Sequence, residues 1–409
     1  MEKKQNVPAL RFQGFSGEWE KYNLSMLSGV ITKGTTPLDK SGKGDVNFIK
    51  IENIDANTGA IHVTQKISQE EHNGYLKRSQ LKENDILFSI AGTLGRVAVV
   101  KANLLPANTN QALAIIRLKK GNFQYVKTYL QGKAVENFLK ANPTVGAQPN
   151  LSLAQVGDLE VVMPEESKEQ ENISDFFQYW DELIFHTMAK IKRLRQFRQA
   201  MLAKLFPREG AAEPELRFRG FSSAWEKRKV KDILIERNEQ APKSEEYPLK
   251  AFIANEGIVD KGKRYDRSAL VTDTEAKLYK KTQYGDFIYS SNNLETGSIG
   301  LNKYGNASIS PVYSIFYPTE LGVSDFIGYR LVRKDFIREM VKWRQGVIYG
   351  QWRIPESDFL NIDILVPSIE EQRKIGSFFR ELDDFISLQQ KKLERMQRLK
   401  AALLEKLFV

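Results

Sequence analysis

The sequence predicts an α+β protein made of two similar halves. Two α/β globular domains are separated by two long helices packed as an antiparallel coiled coil, with an internal pseudo-twofold repeat. Three observations predict this fold: the chain repeats its own ends, the segments between those ends mix short strands with helices, and each half closes on a heptad pattern. A length of 409 residues agrees, because chains of this size usually split into more than one core.

Each half begins with nearly the same motif. The run from Pro8 to Ser16, followed by Trp19-Glu20-Lys21, returns as the run from Pro214 to Ser222, followed by Trp225-Glu226-Lys227. A second echo closes each half, where Gln170, Phe176-Phe177 and Asp181 reappear as Gln372, Phe378-Phe379 and Asp383. The ends are alike and the middles differ. This pattern favours one scaffold that carries two different recognition surfaces.

The first middle segment, residues 24–164, predicts three strands and a helix. The strands are expected at Asp85–Ile90, Val97–Val100 and Ala112–Leu118, and the helix at Phe123–Ala141, where apolar residues recur at helical spacing.

The second middle segment, residues 233–367, repeats this order. It predicts strands at Asp286–Ser290 and Ala307–Tyr317 and a helix at Phe326–Arg344. Both segments end in an apolar run closed by proline, Leu159–Pro164 and Ile362–Pro367.

The tail of each half carries a heptad of apolar residues, which is typical of packed long helices. The positions of the first tail are Ile184, Ile191, Leu194, Met201 and Leu205, and those of the second are Ile386, Leu393, Met396, Leu403 and Leu407. Both heptads share two imperfections, a polar residue (Thr187, Gln389) and a cation (Arg198, Lys400). Matched imperfections favour an antiparallel pair of helices in equivalent environments. The alternative is that each helix covers only its own domain.

Bulk composition limits the class of protein. The net charge of +10 favours a polyanionic partner, although basic proteins can simply be soluble. No apolar run is long enough to span a membrane, and no secretory signal follows Met1, so a cytoplasmic protein is expected. With no cysteine and only three histidines, a zinc site or a histidine-based catalytic triad is not expected.

The motifs of the obvious DNA-modifying activities are missing. No Asn/Asp-Pro-Pro-aromatic tetrapeptide is present to hold a flipped adenine, and no GxxxxGK[ST] loop is present to bind ATP. The carboxylates form no nuclease-like cluster that differs from ordinary surface charge. We therefore predict no catalytic residues and no metal ligands.

Pseudo-twofold symmetry favours a duplex DNA partner, because two related domains can contact two half-sites at a fixed spacing. Residues 182–206 would form a helix roughly 37 Å long at about 1.5 Å per residue, which is about one turn of B-DNA. Because the middle segments differ in sequence, the two half-sites should differ too. The basic run between Thr187 and Arg208 has no carboxylate and could contact phosphates, bind a partner protein or be a solvated helix face.

The loops supply candidate DNA-binding residues, since lysine, serine and threonine can contact phosphates and asparagine, glutamine and arginine can contact bases. The alternative for each is ordinary surface. The candidates in the first half are Lys33, Thr35, Thr36, Lys40, Lys43, Ser89, Gln148 and Asn150. Those in the second half are Lys263, Arg264, Tyr265, Asn292, Asn293, Tyr349, Gln351 and Arg353.

Taken in order, these motifs resemble the specificity subunit of type I restriction-modification enzymes. The resemblance covers essentially the whole chain and rests on the opening Leu-Arg-Phe-x-Gly-Phe motif, Asp85–Ser89 with its later Gly-x-x-Gly, Gly146–Leu151, and the helix entry from Gln170 to Asp181. It departs in the second half, where Ser290-Ser291-Asn292-Asn293 replaces Ser89-Ile90-Ala91-Gly92.

The resemblance implies a division into target recognition domains at residues 1–165 and 208–367 and conserved helical regions at 166–207 and 368–409. It also implies a bipartite double-stranded DNA target and assembly with two modification subunits and with restriction subunits. S-adenosylmethionine, ATP and Mg are then expected on those partners, with no cofactor bound by this chain. The helix pair or subunit interface would include Phe176, Phe177, Phe378 and Phe379 besides the heptad residues.

Two other classes stay open. A duplicated coiled-coil scaffold without sequence-specific DNA recognition would show the same repeat and heptads. A self-sufficient enzyme fragment would instead transfer methyl groups without partner subunits.

Overall fold

The structure is a computed structural model that describes residues 6–141, 150–260, 277–346 and 352–409. The chain divides into two compact units. Unit 1 comprises Met1–Ile191 and Gln389–Val409, and unit 2 comprises Lys192–Leu388.

The elements of unit 1 are short apart from its long helices. They are β1 (Glu20–Asn23), α1 (Leu24–Leu27), β2 (Ser28–Lys33), β3 (Val46–Ile49), β4 (Gln65–Ile67), α2 (Gln69–Asn73), β5 (Ile86–Ser89), β6 (Val97–Val99), β7 (Ala107–Thr109), β8 (Leu113–Leu118), α3 (Phe123–Leu130), α4 (Lys133–Ala141), α5 (Leu153–Gly157), β9 (Glu160–Met163) and the first part of α6 (Ser167–Lys204).

Unit 2 begins in the last part of α6 and follows a similar order. Its elements are β10 (Glu226–Lys229), α7 (Val230–Ile233), β11 (Leu234–Glu236), β12 (Gln240–Ala241), β13 (Lys250–Ile253), β14 (Gly257–Asp260), β15 (Tyr279–Thr282), β16 (Phe287–Tyr289), β17 (Ile299–Leu301), β18 (Ala307–Ile309), β19 (Ser314–Pro318), α8 (Ser324–Leu331), α9 (Lys334–Val341), β20 (Gln345–Gly346), β21 (Trp352–Arg353), α10 (Glu356–Leu360), β22 (Asp363–Val366) and the first part of α11 (Ile369–Leu407).

An antiparallel sheet lies at the centre of each globular part. In unit 1 its strand order is β2-β8-β5-β6, and in unit 2 it is β11-β19-β16-β17. The central strands β5 and β16 are buried along their whole length, which explains why they lack the polar alternation of a half-exposed strand. A second sheet completes each part, in the order β4-β3-β7 in unit 1 and β12-β15-β18 in unit 2.

The prolines that close the apolar runs follow strands that attach the domain to the long helices. β9 pairs with β1, which follows the opening motif, and β22 pairs with β10 in the same register. α6 begins at Ser167 and α11 at Ile369, each two residues beyond a predicted boundary. The predicted division into recognition domains and helical regions itself stays a prediction.

The prediction of one helix at 123–141 is wrong, because the segment forms α3 and α4 with a break at Gln131-Gly132. The amide groups of both residues donate to carbonyls three residues earlier, of Thr128 and Tyr129, at 3.1 and 3.0 Å, which tightens the turn and ends α3.

The single helix predicted at 326–344 is likewise wrong, because α8 ends at Leu331 and α9 begins at Lys334. There the Arg333 guanidinium donates to the Leu202 carbonyl and pairs with Asp335. The strand predicted at 307–317 is divided by a turn in which Tyr313 N donates to Ser310 O.

The antiparallel helix pair is confirmed within each unit. In unit 1 the ring of Phe177 stacks on Phe408 with centroids 5.7 Å apart, Asp181 pairs with Lys400, and farther along α6 Ile191 joins the cluster that contains Leu393. In unit 2 Phe206 stacks on Phe379 and Arg198 pairs with Asp383. Residue numbers thus rise along one helix while they fall along its neighbour. Since the helices contact each other, the alternative in which each covers only its own domain is not supported.

The predicted helix-pair residues lie on this packed side. Eight are buried: Phe177, Ile184, Ile191, Leu205, Phe379, Leu393, Met396 and Leu407. Six are partly buried: Phe176, Leu194, Met201, Phe378, Ile386 and Leu403. Leu205 and Leu407 pack into the core of a globular part, so the ends of the heptads join helix to domain.

Candidate nucleic-acid interface

The first group of predicted DNA-binding residues lies on one loop of unit 1, residues 34–43, which we call loop A. Thr35 N donates to Thr109 O at 2.9 Å, and the hydroxyl of Thr36 bonds to Gln111. Gly34 admits no side chain, because a Cβ there would lie 2.1 Å from the Thr109 carbonyl oxygen. Loop A is therefore held closely against the strand end that precedes β8.

Loop A exposes cations. Lys33 at the end of β2, together with Lys40 and Lys43, has an exposed side chain. The carboxylate of Asp39 accepts hydrogen bonds from the amide and hydroxyl groups of Ser41, and these bonds lower the pKa of Asp39. The structure thus brings together the lysines and threonines that the sequence singled out, in an arrangement suited to phosphate contacts.

Of the predicted DNA-binding residues, Ser89 is buried whereas Asn150 is exposed. Ser89 is fully buried, and its hydroxyl donates to Thr93 O and accepts from Arg96 N, both at 2.7 Å. It holds the turn between β5 and β6 and is inaccessible to DNA in this conformation. Asn150 is exposed and forms an isolated antiparallel β-bridge with Ala91 in that turn. Two segments far apart in sequence therefore meet there.

Unit 2 joins the corresponding segments through side chains. Asn292 Oδ1 accepts from Trp352 N at 2.6 Å, and Ser291 Oγ accepts from Ile354 N at 3.0 Å. The side chains of Asn293, Trp352 and Arg353 are exposed at this junction. β21, which contains Trp352 and Arg353, pairs with β20 as a short antiparallel ribbon of two residues in each strand.

Six further predicted residues lie outside the described part of the chain. They are Gln148, Lys263, Arg264, Tyr265, Tyr349 and Gln351. A role in DNA binding stays a prediction for these residues and for the exposed candidates alike.

Sequence reasoning missed a polar cluster at the base of each globular part. In unit 1 the carboxylate of Asp181 pairs with both Lys127 and Lys400, which also donate to the carbonyls of Thr58 and Asn57. Burial lowers the pKa of Lys127, although the charge of Asp181 opposes the shift. In unit 2 Asp383 takes the place of Asp181, pairing with Arg198 and accepting from the Tyr329 hydroxyl at 2.8 Å. The sequence feature that could have revealed these clusters is the repetition of Asp181 as Asp383.

The side chains of the described residues limit what this interface can bind. Among them no group of three or more histidine or acidic side chains could hold a metal ion. No helix in the same part of the chain is long and apolar enough to cross a membrane. The exposed lysines, amides and arginine suit hydrogen bonding to a polyanion.

Comparison with known proteins identifies the family. The family model described as type I restriction modification DNA specificity domain matches residues 16–196 and 222–398. The type I restriction enzyme MjaIX specificity subunit of Methanocaldococcus jannaschii is 23% identical over 95% of this chain and 92% of its own length. The type I restriction enzyme EcoBI specificity subunit of Escherichia coli is 25% identical over 42% of this chain and 37% of its own length.

Solved structures share the fold. The crystal structure of a type I restriction-modification S subunit from M. genitalium superposes with a TM-score of 0.64 at 17% identity, covering 98% of this chain and 99% of that one. With both repeats matched by one family model, the chain belongs to the type I restriction-modification DNA specificity family.

Proposed function

We propose that this noncatalytic specificity subunit recognises an asymmetric, bipartite DNA sequence through its two globular parts. It thereby directs adenine methylation and restriction by partner subunits. The observation that carries the proposal is that one family model matches both halves of the chain while the loops exposed in the two halves differ in sequence.

The differences between the loops support an asymmetric target. Unit 1 presents the lysines and threonines of loop A, whereas unit 2 presents asparagines and an arginine beside the β20–β21 ribbon. Lysine can bind guanine as well as phosphate and threonine can contact several base edges, whereas amide and guanidinium groups select adenine and guanine. Two surfaces of different chemistry would therefore select two different half-sites.

The repeat also supports the proposed assembly. Because the same helix-entry sequence occurs twice, two copies of one modification subunit could each bind an equivalent surface. Those subunits would bring S-adenosylmethionine, and restriction subunits would bring ATP and Mg, leaving this chain without a cofactor. A complex that acts on chromosomal DNA would work in the cytoplasm.

Methylation mapping tests the proposal. The complex of this chain with its modification subunits should methylate adenines in one split motif of the host genome. Deletion of the gene for this chain should abolish that methylation. Exchange of residues 24–163 for the corresponding segment of another specificity subunit should change one half of the motif. A change in both halves would contradict the assignment of one half-site to each part.

The scaffold alternative is not favoured by the comparisons, and it makes a different prediction. A scaffold would bind random duplex DNA no more strongly than a control protein of matched charge. Methyl transfer by the purified chain with S-adenosylmethionine alone would contradict a noncatalytic role.

A further inference from the structure

Loop A carries a strongly exposed apolar side chain. Leu38 is 70% exposed at the centre of a loop that otherwise carries polar and charged groups. Beneath the loop lies a cavity of about 420 Å³, whose lining includes Thr36, Pro37, Asp39 and the buried ring of Phe48. Leu38 does not line that cavity. We trace the outward position of Leu38 to a cause in the backbone of loop A.

Hydrogen bonds supply that cause. Leu38 N and Asp39 N both donate to Glu71 Oε1, at 2.6 and 3.1 Å. Two successive amides bound to one carboxylate oxygen fix the backbone at Leu38 and leave its side chain pointing away from the protein. Gly42 O accepts from Lys66 N at 3.0 Å and secures the far end of the loop.

The group that holds Leu38 is itself fixed to the core. Glu71 lies on α2, which is capped by the Ser68 hydroxyl accepting from Glu71 N. The next residue, His72, is buried and bonds to the side chain of Asn108 on β7. Leu38 is therefore presented on a preorganised loop, which lowers the entropy cost of inserting it into a partner.

The surroundings indicate the partner. The exposed ammonium groups of Lys33, Lys40, Lys43 and Lys66 lie on loop A or on the strands beside it. An exposed apolar side chain on a loop that also carries several lysines matches the way proteins wedge duplex DNA, where an apolar group enters between two base pairs from the minor groove and cations bind the neighbouring phosphates.

We propose that Leu38 is a DNA wedge: on binding, it inserts at one base step of the half-site recognised by unit 1, unstacks that step and bends the duplex. The inference rests on the proposed function, because it assumes that unit 1 contacts DNA. It adds a source of specificity, since a step that unstacks easily would be favoured without any hydrogen bond to its bases.

The test uses the chain assembled with its modification subunits and duplexes that contain the mapped target. 2-Aminopurine, whose fluorescence rises on unstacking, is placed at successive positions through the half-site that exchange of residues 24–163 assigns to unit 1. The target adenine, which a modification subunit flips out of the stack, should brighten in any case, and we expect one further step to brighten on binding. Leu38→Ala should abolish that signal and weaken binding about tenfold, a loss of the size expected when one favourable contact is removed.

Three controls separate a wedge from a structural role. Val312→Ala truncates an apolar side chain that is 69% exposed in unit 2 and should leave the unit 1 signal unchanged. An abasic site opposite the wedged step should restore the binding of Leu38→Ala, because the duplex is then already unstacked at that step. Leu38→Ala should also unfold at the wild-type temperature.

The outcomes distinguish the two proposals. If the wild-type complex selects its target but no step besides the flipped adenine brightens, or if Leu38→Ala binds and brightens like wild type, the wedge is overturned and the proposed function stands. If the wild-type complex does not distinguish its target from random duplex, both proposals are overturned.

Discussion

Arg11 and Glu169 form a two-point ion pair, with Nε of Arg11 2.7 Å from one carboxylate oxygen and Nη2 2.8 Å from the other. Arg217 and Glu371 repeat it at 3.0 and 2.6 Å. Beside each pair, the preceding leucine amide donates to the carbonyl of Lys406 or Lys204 near the end of a long helix. The repeated opening motif therefore fastens the start of one long helix to the end of the other in each unit.

Removal of Arg11 should destabilise unit 1 strongly. Glu169 is fully buried, and breaking a buried pair by removing one partner leaves an uncompensated charge, costing about 3 kcal/mol. We expect Arg11→Ala to lower the thermal unfolding midpoint by roughly 6–12 °C. The matched control is Arg208→Ala, whose pair with Glu215 is exposed at 73% and 43%, so solvent screening leaves this pair little effect on stability. Equal midpoints for the two variants would contradict a structural role for the Arg11 pair.

Lys127 should make stability depend on pH. Burial lowers the pKa of Lys127, so the folded chain binds this proton less tightly than the unfolded chain does. Between the lowered pKa and the ordinary lysine pKa of about 10.4, the unfolded state carries more protons and stability rises with pH. The unfolding midpoint of wild type should therefore rise relative to that of Lys127→Met as pH increases toward 10. Parallel midpoint curves for the two proteins would contradict this prediction.

Asn292 should position the β20–β21 ribbon. Its side-chain oxygen accepts from Trp352 N, so Asn292→Ala leaves that amide without its partner, at a cost of about 1 kcal/mol, whereas Asn292→Asp keeps an acceptor. We expect Asn292→Ala to speed hydrogen exchange at the Trp352 amide and to weaken selection of the unit 2 half-site, while the aspartate variant retains the slow exchange. If both variants exchanged like wild type, the anchoring role would be wrong.

Helix length should set the distance between the half-sites. Deleting one heptad from each helix, residues 187–193 together with 388–394, removes about 10.5 Å of helix, the length of about three base pairs. Methylation mapping should then show both half-motifs unchanged and a shorter spacer. Insertion of a heptad at the same places should lengthen it. An unaltered spacer in both variants would show that helix length does not set it.

Much of the architecture could be predicted from the sequence. Heptad spacing is a local periodicity, and the repeated ends appear when the chain is compared with itself. The helix pair and the two equivalent domains could therefore be predicted. The breaks between α3 and α4 and between α8 and α9 were not, because short-range hydrogen bonds and the contacts of Arg333 override a continuous helical pattern.

The candidate DNA-binding site could likewise be predicted only in part. Composition shows which segments are basic or rich in amides, and in loop A these residues do lie together because they are neighbours in the chain. The packing of the folded chain, in contrast, buries Ser89 in a turn, brings Asn292 to Trp352 and lets Glu71 hold Leu38 outward. The contacts of Asn292 and Glu71 join residues far apart in the chain, and the burial of Ser89 follows from the packing of its sheet; strand pairing and burial set both, and residue spacing does not encode them.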